Sequence, residues 1–269
     1  MRNTIIIDPN KCIRCGLCTK DCTNFVLAIA GDKVCQINDN CIMCGHCQAI
    51  CPQNAITLVP PNSDYITNDI ETYDPETFKI DADHFLKALK FRRSIRHFLP
   101  KQVEPELVRQ LIEAGRFTPT GANRQTTSYI VLEHDKDKFQ HDIMNTFRRI
   151  ARFMSSLNPY LKLPIDFKKL SRAKDDFLFK QAPLVLLIVS QSNLDGGLAS
   201  ANIEQMANAL GLGVLHVGFF TYLAKFNFKM RRELGLKFGQ SIVDCLAIGW
   251  PAVHYQRTVA RKQAQVTWR

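Results

Sequence analysis

The chain has 269 residues, of which 46% are hydrophobic, and a formal net charge of +10 at pH 7. This length and composition exclude a disordered chain and allow one large core or two unequal ones. No apolar run approaches the ~18 residues of a membrane-spanning helix, and the start "MRNTIIIDPNKC" is too short in apolar residues for a secretory signal, so we expect a cytoplasmic protein without a membrane partner.

The positive charge is dispersed along the chain rather than concentrated in a tail. A solvated surface explains this distribution better than a nucleic-acid site does, so we expect no nucleic-acid partner. The basic segments are "FRRSIR", "FRRIARF", "FKKLSRAK", "KMRRE" and "VARKQ".

Residues 1–58 form the first predicted domain, and they hold two cysteine runs with the same spacing. "CIRCGLCTKDC" begins at Cys12 and "CIMCGHCQAIC" begins at Cys41, which makes an internal repeat of 29 residues. The apolar stretches "TIII" and "NAITLV" lie on either side of the repeat. A disulfide framework suits small secreted domains and does not fit a chain without an export signal. Metal ligation is therefore the better interpretation, with zinc and iron–sulfur clusters as the candidates.

Three cysteines in one short run exceed what a tetrahedral zinc site takes from a single loop. The spacing is instead that of bacterial [4Fe-4S] ligation, and the segment resembles the two-cluster bacterial ferredoxins. In that pattern the fourth cysteine of each run ligates the other cluster. The resemblance therefore implies two [4Fe-4S] clusters, the first held by Cys12, Cys15, Cys18 and Cys51 and the second by Cys22, Cys41, Cys44 and Cys47.

One position departs from the ferredoxin pattern. Thr23 follows Cys22, where the pattern has proline and where the second run has Pro52. We expect this change to affect packing after Cys22 without removing a ligand. The two cysteines outside the runs, Cys35 and Cys245, are interpreted as buried apolar residues.

Residues 59–81 are rich in Pro, Asn, Asp and Thr and form the predicted linker. Residues 82–269 form the second predicted domain, in which helical and strand patterns alternate. Predicted helices are "ADHFLKALKF", "EPELVRQLIEAGRF", a long stretch near 136–157 and "LDGGLASANIEQMANALGLG"; predicted strands are "SYIVLE", "APLVLLIVS" and "SIVDCLAIGWP". The fold class is α+β, with a sheet sandwiched between helices.

The segment "FRRSIRHF" carries a candidate anion site. Arg92, Ser94 and Arg96 alternate, so in an extended backbone they would share one side and present two guanidiniums and a hydroxyl. Arg93 is a lesser candidate because it points away from that side. An ordinary basic helix end is the alternative interpretation.

The segment "TPTGANRQTTSYIVL" carries a second candidate. Its turn presents Asn123 and Gln125, whose amides can pair with the edges of a flat heterocycle. No GxGxxG follows a strand, so a dinucleotide site of the Rossmann type is not supported.

Taken together and in this order, these motifs resemble the nitroreductase superfamily over residues 90–269. The resemblance rests on "RRSIRHF", "TPTGANRQ", "DGGLASANIEQMANALGLG", "AIGWP" and the basic pair at 261–262. It implies a three-layer α/β/α sandwich that forms an intertwined homodimer with FMN at its interface. The implied FMN residues are Arg92, Arg93, Ser94, Arg96, Asn123, Gln125, Gly211, Gly213, Val214, Leu215, Arg261 and Lys262.

The resemblance also implies roles for these residues. Arg92, Ser94 and Arg96 would hold the ribityl chain and phosphate or the pyrimidine edge, and Asn123 and Gln125 would contact the ring system. The turn 211–215 would bring bare backbone near the isoalloxazine, and Arg261 with Lys262 would neutralise the phosphate. No catalytic side chain is implied, because the chemistry belongs to flavin N5.

The predicted function is an FMN-dependent oxidoreductase that receives electrons through its two clusters. The acceptor would be a nitroaromatic, a quinone, an activated alkene or a flavin. The donor would be NAD(P)H, docking transiently, or an external redox protein. The alternative is an electron-transfer adaptor that passes electrons through FMN to a protein partner. The basic region 148–174 is a docking face in that alternative; a lid over the flavin or a solvated surface are its other interpretations.

Overall fold

A computed structural model describes most of the chain, and contacts divide it into two units. The first unit is Met1–Lys79 with Thr120–Arg124, and the second is Ile80–Pro119 with Gln125–Arg269. The described residues are 4–60, 65, 70–157 and 177–269. The part of the basic region 148–174 from residue 158 onward therefore lies outside them. Within them, no helix combines the length and apolar character needed to cross a bilayer.

The first unit is built from two small antiparallel sheets and short helices. The apolar stretches at its two ends form strands that pair with each other, with Ile5 opposite Leu58. A hairpin between the cysteine runs was not predicted, although its Gly31–Asp32 turn is a hairpin signal. The elements are β1 (Thr4–Ile7), α1 (Leu17–Asp21), β2 (Leu27–Ala30), β3 (Lys33–Gln36), α2 (His46–Ala49), β4 (Ile56–Val59) and α3 (Pro75–Phe78).

The 29-residue repeat of the sequence is also a repeat of backbone conformation. Residues at equivalent places in the two runs and just after them adopt the same left-handed conformation, including non-glycine residues, for which it is uncommon. These pairs are Arg14 and Met43 (φ 56° and 55°), Gly16 and Gly45 (74° and 78°), and Phe25 and Asn54 (52° and 47°). The two cysteine loops are therefore copies of one loop structure.

In its described residues the second unit has one four-stranded sheet, with the predicted helices at their predicted places and two further helices within residues 218–233 that were not predicted. The strand order is β5-β6-β8-β7, and every neighbouring pair is antiparallel. The elements are α4 (Ala82–Phe91), α5 (Pro105–Arg116), β5 (Ser128–Leu132), α6 (Lys136–Leu157), β6 (Leu184–Ser190), α7 (Asn193–Ala209), β7 (Gly213–His216), α8 (Gly218–Ala224), α9 (Phe228–Glu233) and β8 (Ser241–Gly249). The short strand β7 was expected as part of a turn.

The central strand β6 is buried along its whole length because helices cover both faces of the sheet. Its alternate residues enter two separate cores. Val185, Leu187 and Val189 pack with α6 and α8. Leu184, Leu186 and Ile188 pack with α5 and α7. This arrangement confirms the predicted α+β sandwich of three layers.

Local signals explain where α7 begins and ends. The Ser192 hydroxyl accepts a hydrogen bond from the Asp195 amide at 3.2 Å, which caps the first turn. At the other end Gly211 has a φ of 76°, and the Leu212 amide donates to the Ala207 carbonyl at 2.8 Å. Gly211 therefore follows the end of α7 in the left-handed conformation that commonly terminates a helix.

Two adjacent glycines of α7 are expected to respond oppositely to alanine. A Cβ at Gly196 would lie 2.8 Å from Val243 of β8, whereas a Cβ at Gly197 would meet nothing within 4 Å. We expect Gly196→Ala to lower the free energy of unfolding by about 1–3 kcal/mol through overpacking. Gly197→Ala should raise it by about 0.5–1 kcal/mol through helix propensity. Thermal unfolding followed by circular dichroism measures both, and equal shifts would contradict close packing of α7 on the sheet.

Candidate functional site

Eight of the nine cysteines of the first unit line two cavities, and each cavity takes cysteines from both runs. Cys12, Cys15, Cys18 and Cys51 line the first cavity, together with Gly16 and Ile56. Cys22, Cys41, Cys44 and Cys47 line the second, together with Gly45 and Leu58. The structure thus brings together the same two groups of four that the ferredoxin resemblance implied.

Backbone amides point at several of these sulfurs. The Val26 amide donates to Cys22 Sγ and the Ala55 amide donates to Cys51 Sγ, both at 3.3 Å. These two hydrogen bonds occupy equivalent places in the 29-residue repeat. The Met43 amide donates to Cys41 Sγ at 3.4 Å. Such hydrogen bonds stabilise thiolates that ligate iron and tune the potential of a cluster.

The donor set suits a polynuclear cluster better than one ion. Among the described residues, no three Cys, His, Asp or Glu side chains converge as a site for a single metal ion. The eight thiols instead line two cavities, four to each, and four is the number of thiolates that a [4Fe-4S] cluster takes. Burial raises the pKa of Cys47 to about 11, and the neighbouring Cys41 adds to this rise. Iron binding must therefore displace a proton from that thiol at neutral pH.

Thr23 does not alter the turn in which it lies. After the first run the Phe25 amide donates to the Cys22 carbonyl at 3.0 Å, and after the second the Asn54 amide donates to the Cys51 carbonyl at 3.1 Å. The turn forms with threonine as it does with proline. Outside the runs, Cys245 is buried in β8, as expected, while Cys35 is only half-buried.

The second unit contains a cavity of about 450 Å³ beside the end of α4, which is large enough for a cofactor. Five predicted FMN residues line it: Arg92, Arg93, Gly211, Gly213 and Val214. The Ile95 amide donates to the Val214 carbonyl at 3.0 Å, so the segment after α4 lies alongside β7. A Cβ at Gly213 would overlap the Ile95 side chain, which explains why this position has none.

The remaining predicted residues do not line this cavity. Asn123 falls in the first unit, where its amide donates to the carbonyls of Ile42 at 3.1 Å and Met43 at 2.8 Å. Arg261 and Lys262 are exposed in the segment after β8, outside any helix or strand. Ser94, Arg96, Gln125 and Leu215 also lie outside the lining. Contacts of all these residues with FMN stay predictions.

Arg93 occupies a more prominent place than the alternation of the sequence indicated. Its Nη1 donates to the carbonyls of Lys90 at 2.8 Å and Arg92 at 2.6 Å. Its Nε is buried without a hydrogen-bond partner in the described part of the chain. Because a buried unpaired donor is costly, an anionic ligand in the cavity fits this guanidinium.

A chain of ionisable side chains that sequence reasoning missed reaches this cavity. His216 Nδ1 lies 2.6 Å from Asp244 Oδ2, and His216 Nε2 lies 3.3 Å from Glu204 Oε1. The same Glu204 oxygen accepts a hydrogen bond from Arg92 Nη1 at 3.3 Å. The Ser200 hydroxyl donates to Asp244 Oδ2 at 2.5 Å. The only sequence signal for this network was a polar residue, Asp244, in an otherwise apolar strand.

The network holds His216 as a cation. Hydrogen bonds to Asp244 and then to Glu204 raise the pKa of His216 to about 9, against the opposing effect of burial. A neutral imidazole can donate from only one nitrogen, whereas both nitrogens here face carboxylate oxygens. The imidazolium is therefore the form that fits this geometry.

Comparisons with known proteins agree with this description. Residues 4–52 match the family model described as a 4Fe-4S dicluster domain. An uncharacterised ferredoxin of Methanocaldococcus jannaschii is 36% identical over 59 residues, which cover 21% of this chain and 95% of that protein.

The second unit is similar to nitroreductases. A candidate NADH dehydrogenase/NAD(P)H nitroreductase of Methanothermobacter thermautotrophicus is 23% identical over 151 residues, or 53% of this chain; the match spans 64% of that relative, just under two thirds. A crystal structure of a nitroreductase with bound FMN from Bacteroides fragilis superposes with a TM-score of 0.54 at 18% identity, over 68% of this chain and 98% of that one.

The decisive match is the nitroreductase family model, which covers residues 89–250 and so more than half of the chain. This interval runs from the end of α4 through β8 and includes the cavity-lining Arg92, Arg93 and Gly213. The chain therefore belongs to the nitroreductase family and carries an N-terminal segment that matches the 4Fe-4S dicluster domain.

Proposed function

We propose that this protein is an FMN-dependent reductase that receives electrons through two [4Fe-4S] clusters. The first cluster would be held by Cys12, Cys15, Cys18 and Cys51, and the second by Cys22, Cys41, Cys44 and Cys47. The observation that supports this most directly is the division of the eight cysteines between two cavities. Residues 1–58 would be the cluster domain and 82–269 the FMN domain.

FMN would occupy the cavity beside α4. The cavity offers two guanidiniums, one with a buried unpartnered Nε, and backbone at Gly211 and Gly213 with no side chain. The family relative with bound FMN supports this choice of ligand. We further propose that the protein is a homodimer, in which the exposed segment with Arg261 and Lys262 contributes to phosphate binding.

The proposed reaction transfers two electrons from a reduced donor to an organic acceptor. When bound, the clusters carry single electrons, and FMN collects them and supplies a hydride from N5. The chain's own residues bind and orient: thiolates hold iron, and Arg92 and Arg93 balance the charge of the anionic cofactor. Joining the two parts in one chain gives them a high effective concentration. The donor is NAD(P)H or a reduced redox protein, and the acceptor is a nitroaromatic, quinone, activated alkene or flavin.

An anaerobic reoxidation assay tests this function. We expect the purified protein, reduced by dithionite or NAD(P)H, to be reoxidised by at least one class of small acceptor within seconds, as followed by flavin absorbance. The control is the same protein without acceptor, which should remain reduced. Reoxidation by oxidised ferredoxin or another redox protein alone, with every small acceptor inert, would instead indicate an electron-transfer adaptor.

A further inference from the structure

Four charged side chains from separate elements form an unbroken chain of contacts that ends at the cavity of the second unit. Asp244 lies on β8, His216 on β7, Glu204 on α7, and Arg92 follows the last residue of α4. Glu204 and Arg92 line the cavity, whereas His216 lies behind Glu204. The two carboxylates are largely buried, with 12% and 18% of their side chains exposed.

The charge of this group depends on one proton. With His216 protonated, two cations and two carboxylates sum to zero. When His216 loses its proton, the group carries one negative charge, and Arg92 becomes the only cation in contact with Glu204 within the described structure. The Glu204 carboxylate then neutralises the Arg92 guanidinium more fully, and less positive charge remains for an anion in the cavity.

We propose that His216 is a positioning residue for the cofactor: as an imidazolium it shares the Glu204 carboxylate with Arg92 and so keeps the Arg92 guanidinium available to an anion in the cavity. This inference rests on the proposed function, because it takes FMN as that anion. His216 itself does not line the cavity and acts through Glu204. Neither the family match nor the motif resemblance assigns a role to His216, Glu204 or Asp244.

The geometry gives the sign of the pH dependence. The charged groups that face the imidazole are Asp244 from β8 and Glu204 from α7, and both favour the protonated form. Protonation is complete well below a pKa of about 9 and is lost as pH rises through that value. FMN affinity is therefore expected to be constant near pH 7. It should fall by about 3- to 10-fold between pH 8 and 10, because the loss of the His216 proton leaves the group beside the cavity with one negative charge.

The experiment is equilibrium dialysis of FMN against the full-length protein, purified anaerobically, at several pH values from 7 to 10. His216→Gln removes the titrating cation but keeps hydrogen-bonding capacity. The matched control is His134→Gln, because His134 is 95% exposed and lies in the same unit. Ionisations of FMN itself are common to all three proteins and cancel in the comparison.

We expect His216→Gln to bind FMN about 3- to 10-fold more weakly than the wild type at pH 7.5 and equally at pH 10, because both proteins then lack the cation. His134→Gln should follow the wild-type curve. A wild type with measurable but pH-independent affinity would overturn the inference, even if the variant failed to fold. A weaker His216→Gln with the same pH profile as the wild type would also overturn it, since that indicates a merely structural residue. A wild type that binds no FMN at any pH would instead refute the proposed function.

Discussion

A protein that carries both Cys12→Ala and Cys51→Ala is expected to retain about four of the wild type's eight irons, whereas one that carries Cys12→Ala and Cys22→Ala should retain almost none. The reason is the grouping of the cysteines around the two cavities. Cys12 and Cys51 line the same cavity although 39 positions separate them in the chain, whereas Cys22 lines the other one. The variant of Cys12 and Cys51 removes ligands from one cluster, whereas the variant of Cys12 and Cys22 removes one ligand from each. Because a cubane that loses a thiolate is destabilised, the first variant loses one cluster and the second loses both.

The two double variants give opposite results under the simplest rival arrangement. If each cysteine run held its own cluster, the Cys12 and Cys22 variant would keep about four irons and the Cys12 and Cys51 variant would keep almost none. Iron and sulfide analysis after anaerobic purification distinguishes the two arrangements. Cys35→Ala is the control, because Cys35 lies outside both cavities and should leave about eight irons in place.

Replacing Arg92 and Arg93 together with alanine is expected to weaken FMN binding by about 100-fold or more. Both side chains line the cavity, and the buried Nε of Arg93 has no partner within the described residues. A hydrogen bond to a charged group contributes about 1.5–3 kcal/mol, and each 1.4 kcal/mol corresponds to tenfold in affinity. Equilibrium dialysis and the flavin content of the purified protein measure the effect.

Two single variants make this prediction specific. Arg109→Ala removes an exposed arginine that pairs with Glu106 on α5, and it should leave FMN affinity unchanged. Arg96→Ala tests the hypothesis that alternate residues of this segment, Arg92 and Arg96, bind the cofactor together. Because Arg96 lies outside the cavity lining, we expect it to weaken FMN binding less than Arg93→Ala does. A larger loss for Arg96→Ala than for Arg93→Ala would mean that the cofactor lies elsewhere.

The sequence alone predicted the longer elements of the second unit from short-range apolar spacing, and the ferredoxin resemblance implied the two groups of cysteines that line the two cavities. Four cysteines within eleven residues must share one loop, and the repeated run must repeat its conformation, as the matching φ values of Arg14 and Met43 show. The apolar run "APLVLLIVS" predicted a strand, and the strand that forms there, β6, is buried along its whole length. The same reasoning missed the β2–β3 hairpin and the strand β7, whose four residues are too few for a clear periodicity.

Only the tertiary structure decided which groups meet at the cavity. Alternation along an ideal extended segment separated Arg93 from Arg92, but Arg92 directly follows the helix α4, and both residues line the cavity. Glu204, His216 and Asp244 belong to three elements, and their contacts join positions 12 and 28 residues apart in the chain. The sequence by itself determined the layers, because apolar spacing sets which faces are buried, and its cysteine runs implied, through the ferredoxin pattern, which cysteines share a cavity. The placement of charge around the cavity required the folded sheet, because antiparallel pairing of β7 with β8 and packing of α7 bring those distant residues together.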